Sequence, residues 1–255
     1  SGLDSSKVAS TLVAGWKILH SELVELDALR NTYRLEMAEL IKGQEAVGNR
    51  TLPQNKFIRL NELKPLVGKL REQGDEMREL QLALNKRIGE LRRRDSVMWL
   101  LKKVCGHNKA ELPLKLAAAQ AIGASSSEIV EELATALTRA RQVPEQIVLL
   151  DAMALAGEKA NAYATPVIKL LASSEPAVAE RAALALAKMA IPNAIQPMIG
   201  LLARSTGQMK QRVVAALEVL TGEEFGDNIG AWQAWWQNEG AAVASGGRTF
   251  GKGTP

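Results

Sequence analysis

Between residues 7 and 47 apolar side chains recur at alternating steps of three and four: Ala9, Leu12, Trp16, Leu19, Leu23, Leu26, Arg30, Tyr33, Met37, Leu40, Gln44 and Val47. Only Arg30 and Gln44 break the apolar run, so this is a sustained heptad stripe, the pattern that seats one helix on another in a coiled coil. Gly48-Asn49-Arg50-Thr51-Leu52-Pro53 interrupts it with turn and stop residues. A second stripe follows through Leu60, Leu63, Val67, Leu70, Gly74, Met77, Gln81, Leu84, Ile88 and Leu91. The segments 7–47 and 54–95 are nearly equal in length, which predicts an antiparallel helical hairpin with arms of about 60 Å. Pairing between two chains is the competing arrangement. Pro65 lies inside the second stripe, so that helix either kinks there or starts afresh near Asn61. Asp95-Ser96 offers an N-cap to a further helix ending at Cys105, unless one long helix runs through; 106–112 is then a junction.

Beyond residue 112 the stripes become short. The stretch 175–203 reads as two helices meeting at Ile191-Pro192-Asn193, the first carrying Val178, Ala182, Leu184, Leu186 and Met189, the second Ile195, Met198, Ile199, Leu201 and Leu202. Pro176 suits a first helical turn, and Pro192-Asn193 gives a stop and a fresh cap. Neither helix is long enough to stand alone in water. Ile122, Leu155, Leu186 and Leu217 hold equivalent places in four such pairs, at spacings of 33, 31 and 31 residues. The second helices fall at 127–140, 162–172, 193–203 and 227–240. A period of about thirty residues with a helical hairpin in each unit predicts a stacked α-solenoid. Pro176, Val178, Arg181, the Ala182-Ala183-x-Ala185-Leu186 run and Leu201-Leu202 resemble the HEAT-like repeat family, in the short-unit form found in many bacterial proteins. The resemblance covers residues 112–239. It implies an all-α array that presents binding surfaces, with the second helices lining its concave side.

Composition agrees with an all-α chain. Aromatic residues make up 4% of the 255, while alanine and leucine abound, as close helix packing requires. No segment alternates at period two, and no stretch of about 18 uncharged apolar residues is present to span a membrane. The single cysteine, Cys105, excludes an intramolecular disulfide. The opening Ser-Gly is that expected of a processed or engineered start. The chain therefore divides into a hairpin arm and junction (1–111), a repeat array (112–240) and a glycine-rich tail (241–255) expected to be disordered.

Candidate chemistry is thin. Cys105 and His107 have no second pair to complete a metal site, and no carboxylate is evident to orient His107 as a base for the thiol. Gly246-Gly247-Arg248-Thr249-Phe250-Gly251-Lys252 spells most of a phosphate-binding loop. Gly253 stands where Ser or Thr is needed, and no strand and helix flank it. Asn49-Arg50-Thr51 spells a glycosylation sequon with nothing else in support. No cofactor site emerges.

Charge is uneven: residues 1–111 carry 20 basic and 15 acidic side chains, residues 112–255 carry 12 and 13. Lys86, Arg87, Arg92, Arg93, Arg94, Lys102 and Lys103 concentrate cations that could grip phosphates. Three consecutive arginines fan around three faces of a helix, however, so a solvated surface is the simpler reading. Trp232, Trp235 and Trp236 share one helical face, after a Leu220-Thr221-Gly222-Glu223-Glu224-Phe225-Gly226 stretch similar to the closing segment of some bacterial HEAT-like proteins. They are expected to cap the last core face.

Two functions follow. The first is a non-catalytic scaffold that binds other proteins, with Glu128, Glu131, Glu132 and Arg139 of the first unit, Lys169 of the second and Gln196 of the third on its binding face. The coiled coil offers a second route, self-association. The alternative is a nucleic-acid or polyanion binder acting through the basic segment 86–103. HEAT-like folds have also hosted DNA-repair glycosylases and bilin lyases, but no catalytic carboxylate with a base-holding pocket can be located here.

Overall fold

The computed structural model describes residues 5–46, 53–106 and 110–240. The turn at 48–52 with its sequon, His107 and the tail from 241 lie outside them, as does the stripe position Val47. The described residues are helical with no strand. In order they form α1 (Ser5–Ala46), α2 (Gln54–Gly89), α3 (Arg94–Leu100, widened into a π turn over Leu101–Cys105), α4 (Leu112–Gly123) and α5 (Ser127–Arg139). There follow α6 (Val143–Ala156), a 3-10 stretch Gly157–Tyr163, α7 (Ala164–Leu170), α8 (Pro176–Lys188), a 3-10 turn Pro192–Ala194, α9 (Ile195–Arg204), α10 (Gly207–Thr221) and α11 (Ile229–Trp235). Residues Ser10–Arg87 form one compact unit, and the described residues outside it, 5–9 and 88–240, form the other.

In the first unit α1 and α2 run antiparallel. Three contacts fix the direction, since position on α2 falls as position on α1 rises: Gln81 with His20 Nδ1 at 3.1 Å, Arg78 with Asp27 at 2.7 Å and Arg59 with Glu36 at 2.7 Å. Between them lie the side chains of the two stripes. Trp16, Leu23, Leu60 and Leu63 are buried, and the stripe positions from Leu12 to Leu40 and from Val67 to Leu84 are shielded. Trp16 also stacks on His20, ring centroids 4.8 Å apart. The Arg59 hydrogen bond holds the Glu36 carboxyl below the usual carboxylate range. Pro65 does not start a new helix. α2 is continuous from Gln54, and Pro65 is exposed on it, so its missing hydrogen bond faces away from α1. The helix ends at Gly89 rather than near Asp95.

In the second unit the expected cap at Asp95-Ser96 does something else. Ser96 Oγ donates to the Ser5 carbonyl at 2.5 Å and Ser5 Oγ donates to Asp95 at 3.3 Å, which ties the start of α1 to α3. The short helices then pack in series, α4 on α6, α6 on α8 and α8 on α10, with α5, α7, α9 and α11 against or between them. Ile122, Leu186 and Leu217 are fully buried. Leu155 is not; it is 50% exposed, and Met153, two positions earlier, is among the fully buried residues of α6 with Val148, Leu150 and Ala152. The core register through Met153 is 122, 153, 186 and 217, so the longer step falls across the inserted 3-10 stretch Gly157–Tyr163 and not, as the sequence spacing of 33, 31 and 31 had it, between the first two units.

Small residues set the separation of the helices. A Cβ built on Gly123 would stand 2.6 Å from the Ala152 carbonyl oxygen and 2.6 Å from Leu155 Cβ, so the end of α4 touches the backbone of α6. A residue of positive φ follows each of α6, α8 and α10: Gly157 (φ 57°), Ala190 (φ 53°) and Gly222 (φ 76°), of which Gly222 makes a left-handed cap. Ion pairs link successive helices with the same period: Arg181 of α8 reaches Asp151 of α6 at 3.3 Å, and Arg212 of α10, 31 positions later, reaches Glu180 of α8. At the end of the series Trp232 is fully buried, donates Nε1–H to the Gly226 carbonyl at 2.8 Å and meets Phe225 edge to face.

Candidate interaction surface

The outward positions of the second helices follow from what the inward ones bury. In α5, Ile129, Val130, Leu133 and Leu137 turn into the core, which leaves Glu128, Glu131, Glu132 and Arg139 exposed. Lys169 is exposed near the end of α7. In α9, burial of Ile195, Met198, Ile199 and Leu202 leaves Gln196 exposed. Glu128 is not free, because Arg94 at the start of α3 lies 3.6 Å away, with both side chains largely solvated. Such a pair is worth at most about 1 kcal/mol, and each group partly offsets the field the other offers a partner.

Two depressions lie on this side. One, about 560 Å³, opens between α9 and α11 and is lined by Gln196, Ile199, Gly200, Gln233, Trp236 and Gln237. The other, about 330 Å³, opens between α7 and α9, where Ile168 and Leu171 face Pro197, Leu201 and Arg204. Gly200, in the middle of α9, borders both. Nothing lies within 4 Å of a Cβ built on Gly200. Arg204 is held at the far end by a hydrogen bond from Nη2 to the Leu171 carbonyl. Of the three indoles expected to cap the core, Trp232 and Trp235 do so, while Trp236 is half-buried and lines the first depression. Sequence reasoning singled out Gln196 and missed Gly200, Gln233, Gln237 and Arg204. The available signal was the i, i+4 spacing of Gln233 and Gln237.

A third depression, about 300 Å³, lies among α4, α6 and α8, with Leu116, Leu155 and Asp151 in its lining. Burial pushes the Asp151 carboxyl above its ordinary range, and Arg181 and Lys188 oppose that. The side chain is already engaged by Arg181.

The basic segment is split. Lys86 and Arg87 lie exposed in the last turn of α2, within the first compact unit, while Arg92 to Lys103 belong to the second. Arg92 and Arg93 are in the connection between α2 and α3, not on a helix, so the arginines do not fan around one helix as expected. Arg92 Nη1 donates to the carbonyls of Gly89 at 2.5 Å and Leu91 at 2.9 Å, closing the end of α2. Arg94 faces Glu128. Lys102 and Lys103 are exposed on the π turn. Cys105 is fully buried beside them, and burial pushes its thiol up to about 12, so it is protonated at neutral pH and poorly suited to act as a nucleophile.

No protein-family model matches the chain, and no curated protein matches it closely enough to count as a relative.

Proposed function

We propose that this chain is a non-catalytic scaffold that binds other proteins through the second helices of a HEAT-like α-solenoid of about four helix pairs, carrying a coiled-coil hairpin as an arm. The observation that supports it best is the surface left by α5, α7, α9 and α11: exposed, mixed in charge, and furrowed by two depressions that share Gly200. The serial packing of α4, α6, α8 and α10 supports the solenoid reading, and the shielded stripes of α1 and α2 support the hairpin. Glu131 and Lys169, exposed on adjacent second helices, are the charged contacts of choice. Both are surface positions, so reversing them together should leave the melting temperature unchanged.

The test is affinity capture from the native organism with identification by mass spectrometry, repeated with Glu131→Lys/Lys169→Glu. Weaker capture by that variant is the expected result. The polyanion reading is favoured by the exposure of Lys86, Arg87, Lys102 and Lys103 and weakened by the engagement of Arg92 and Arg94. Capture that survives the double reversal, and is lost on neutralising Arg92, Arg93 and Arg94 or on raising salt, replaces the scaffold reading with the polyanion one.

A further inference from the structure

The two depressions beside α9 share Gly200 in their linings, and taken together as one path from α11 to α7 their lining is graded. At the α11 end three primary amides, Gln196, Gln233 and Gln237, surround the half-buried Trp236. No ionised side chain lines that part. Past Gly200 the lining turns aliphatic, and at the α7 end it closes on a single cation, Arg204. One of the Arg204 nitrogens is bound to the Leu171 carbonyl, which fixes the guanidinium and leaves its other donors available.

The floor of this path is a glycine in the interior of a helix. There glycine is less stable than alanine, and nothing packs on Gly200 to account for its use. Open space over a helical glycine is not a signal by itself, since Gly15 and Gly68 of the arm have it too. Gly200 differs because it lines two depressions, and any side chain there would stand between them.

We infer that this groove binds an extended peptide segment, uncharged along most of its length and carrying one carboxylate where it meets Arg204. The proposal rests on the scaffold reading and narrows it to a site and a partner chemistry. A glutamine amide both donates and accepts, so three of them match the alternating N–H and C=O groups of an extended backbone. An indole face gives a proline or aliphatic side chain a rigid seat. The aliphatic half takes an apolar side chain, and the guanidinium takes the carboxylate. Packed helices stand 8–10 Å apart, so the path from α11 across α9 to α7 is about 16–20 Å long, and at about 3.3 Å per residue it seats five or six residues. An oligosaccharide would need polar partners along the whole path, and the α7 half lacks them.

The probe is a phage-displayed library of random linear octapeptides panned against the full chain. Fluorescence anisotropy of the enriched peptides then compares wild type, Gly200→Leu and Arg204→Gln. The expected peptides are uncharged but for one acidic position. Gly200→Leu should weaken them roughly tenfold or more, the loss of one buried hot-spot contact, with a melting temperature equal to or above wild type. Arg204→Gln should abolish the preference for the acidic peptide over its amide. Failure to enrich any peptide, binding indifferent to Gly200→Leu, or displacement by cellohexaose or chitohexaose overturns the proposal. Failure of the scaffold reading is read separately, from native-partner capture by the Glu131/Lys169 and Arg92–Arg94 variants, because none of those residues lines the groove.

Discussion

The same substitution, glycine to alanine, should have opposite signs at Gly123 and Gly200. At Gly123 the new methyl would stand 2.6 Å from the Ala152 oxygen, 2.6 Å from Leu155 Cβ and 3.1 Å from the Ala156 nitrogen. Ordinary contact begins at 3.4 Å, so the overlap is about 0.8 Å, and two of the three atoms are backbone that cannot rotate away. The end of α4 would have to back off from α6, and overpacking of this kind costs about 1–3 kcal/mol. Helix propensity offsets at most about 1 kcal/mol of that, and less at a helix end. The expected net loss is about 1–2 kcal/mol. At Gly200 the methyl meets nothing, so only the gain of roughly 0.5–1 kcal/mol remains. Urea unfolding of the full-length chain by far-ultraviolet circular dichroism should therefore give a lower midpoint for Gly123→Ala and a higher one for Gly200→Ala, both with unchanged slope. Thermal midpoints should follow at about 2–4 °C per kcal/mol. Equal stability of wild type and Gly123→Ala would refute the close approach of α4 to α6. A destabilised Gly200→Ala would refute the open groove floor.

Leu186 is fully buried in α8, packed between α6 and α10; Leu186→Asp should destabilise the helix-pair unit by more than about 3 kcal/mol, and a wild-type melting temperature would contradict the serial packing. Asp151 has its carboxyl raised by burial, so the folded state holds that proton more tightly than the unfolded one, and stability is lost as pH rises through the raised value. Asp151→Asn lacks that loss, so the midpoint of the variant minus that of wild type should grow as pH climbs through and above the carboxylate range; a gap that shrinks with pH would show that the Arg181 ion pair dominates instead. Pairing of α1 with α2 inside one chain predicts that helicity of the full-length protein does not change on dilution through the micromolar range; a fall would mean pairing between chains.

The two long helices were legible because their signal is long. Stripe positions Leu60, Leu63, Val67, Leu70, Gly74, Met77, Gln81, Leu84 and Ile88 of α2 are all shielded, though Arg59, Arg78 and Asn85, which the stripe did not name, are shielded with them. The end of α2 was not legible. Leu91 and Met98 keep the heptad phase, but Gly89 weakens the helix and the carbonyls it leaves are met by Arg92, an event that spacing cannot express. In the helix pairs the period was legible in Ile122, Leu186 and Leu217 and failed at Leu155. With leucine or methionine at both 153 and 155, periodicity cannot choose between faces of a helix, and the 3-10 stretch that follows shifts the repeat. Two further periodic features could have settled it. Arg181 and Arg212 stand 31 residues apart, and the positive-φ positions Gly157, Ala190 and Gly222 recur at nearly the same interval, with alanine masking the middle one.

The groove was illegible for a related reason. Core residues announce themselves by repetition, whereas a surface site is built from residues that differ between repeats. Gln233 and Gln237 stand one helical turn apart, but Gln196 and Arg204 come from another helix, and each alone reads as an ordinary solvated side chain. What joins them is the packing of the helices that carry them: α9 lies against α11, and its Pro197, Gly200, Leu201 and Arg204 share a depression with Ile168 and Leu171. The same turn of α9 that sends Ile195, Met198 and Leu202 into the core decides which of its side chains are left outside. Periodicity reports the buried half of that arrangement, and the groove is built from the other half together with residues of neighbouring helices, whose positions no spacing within one helix can express.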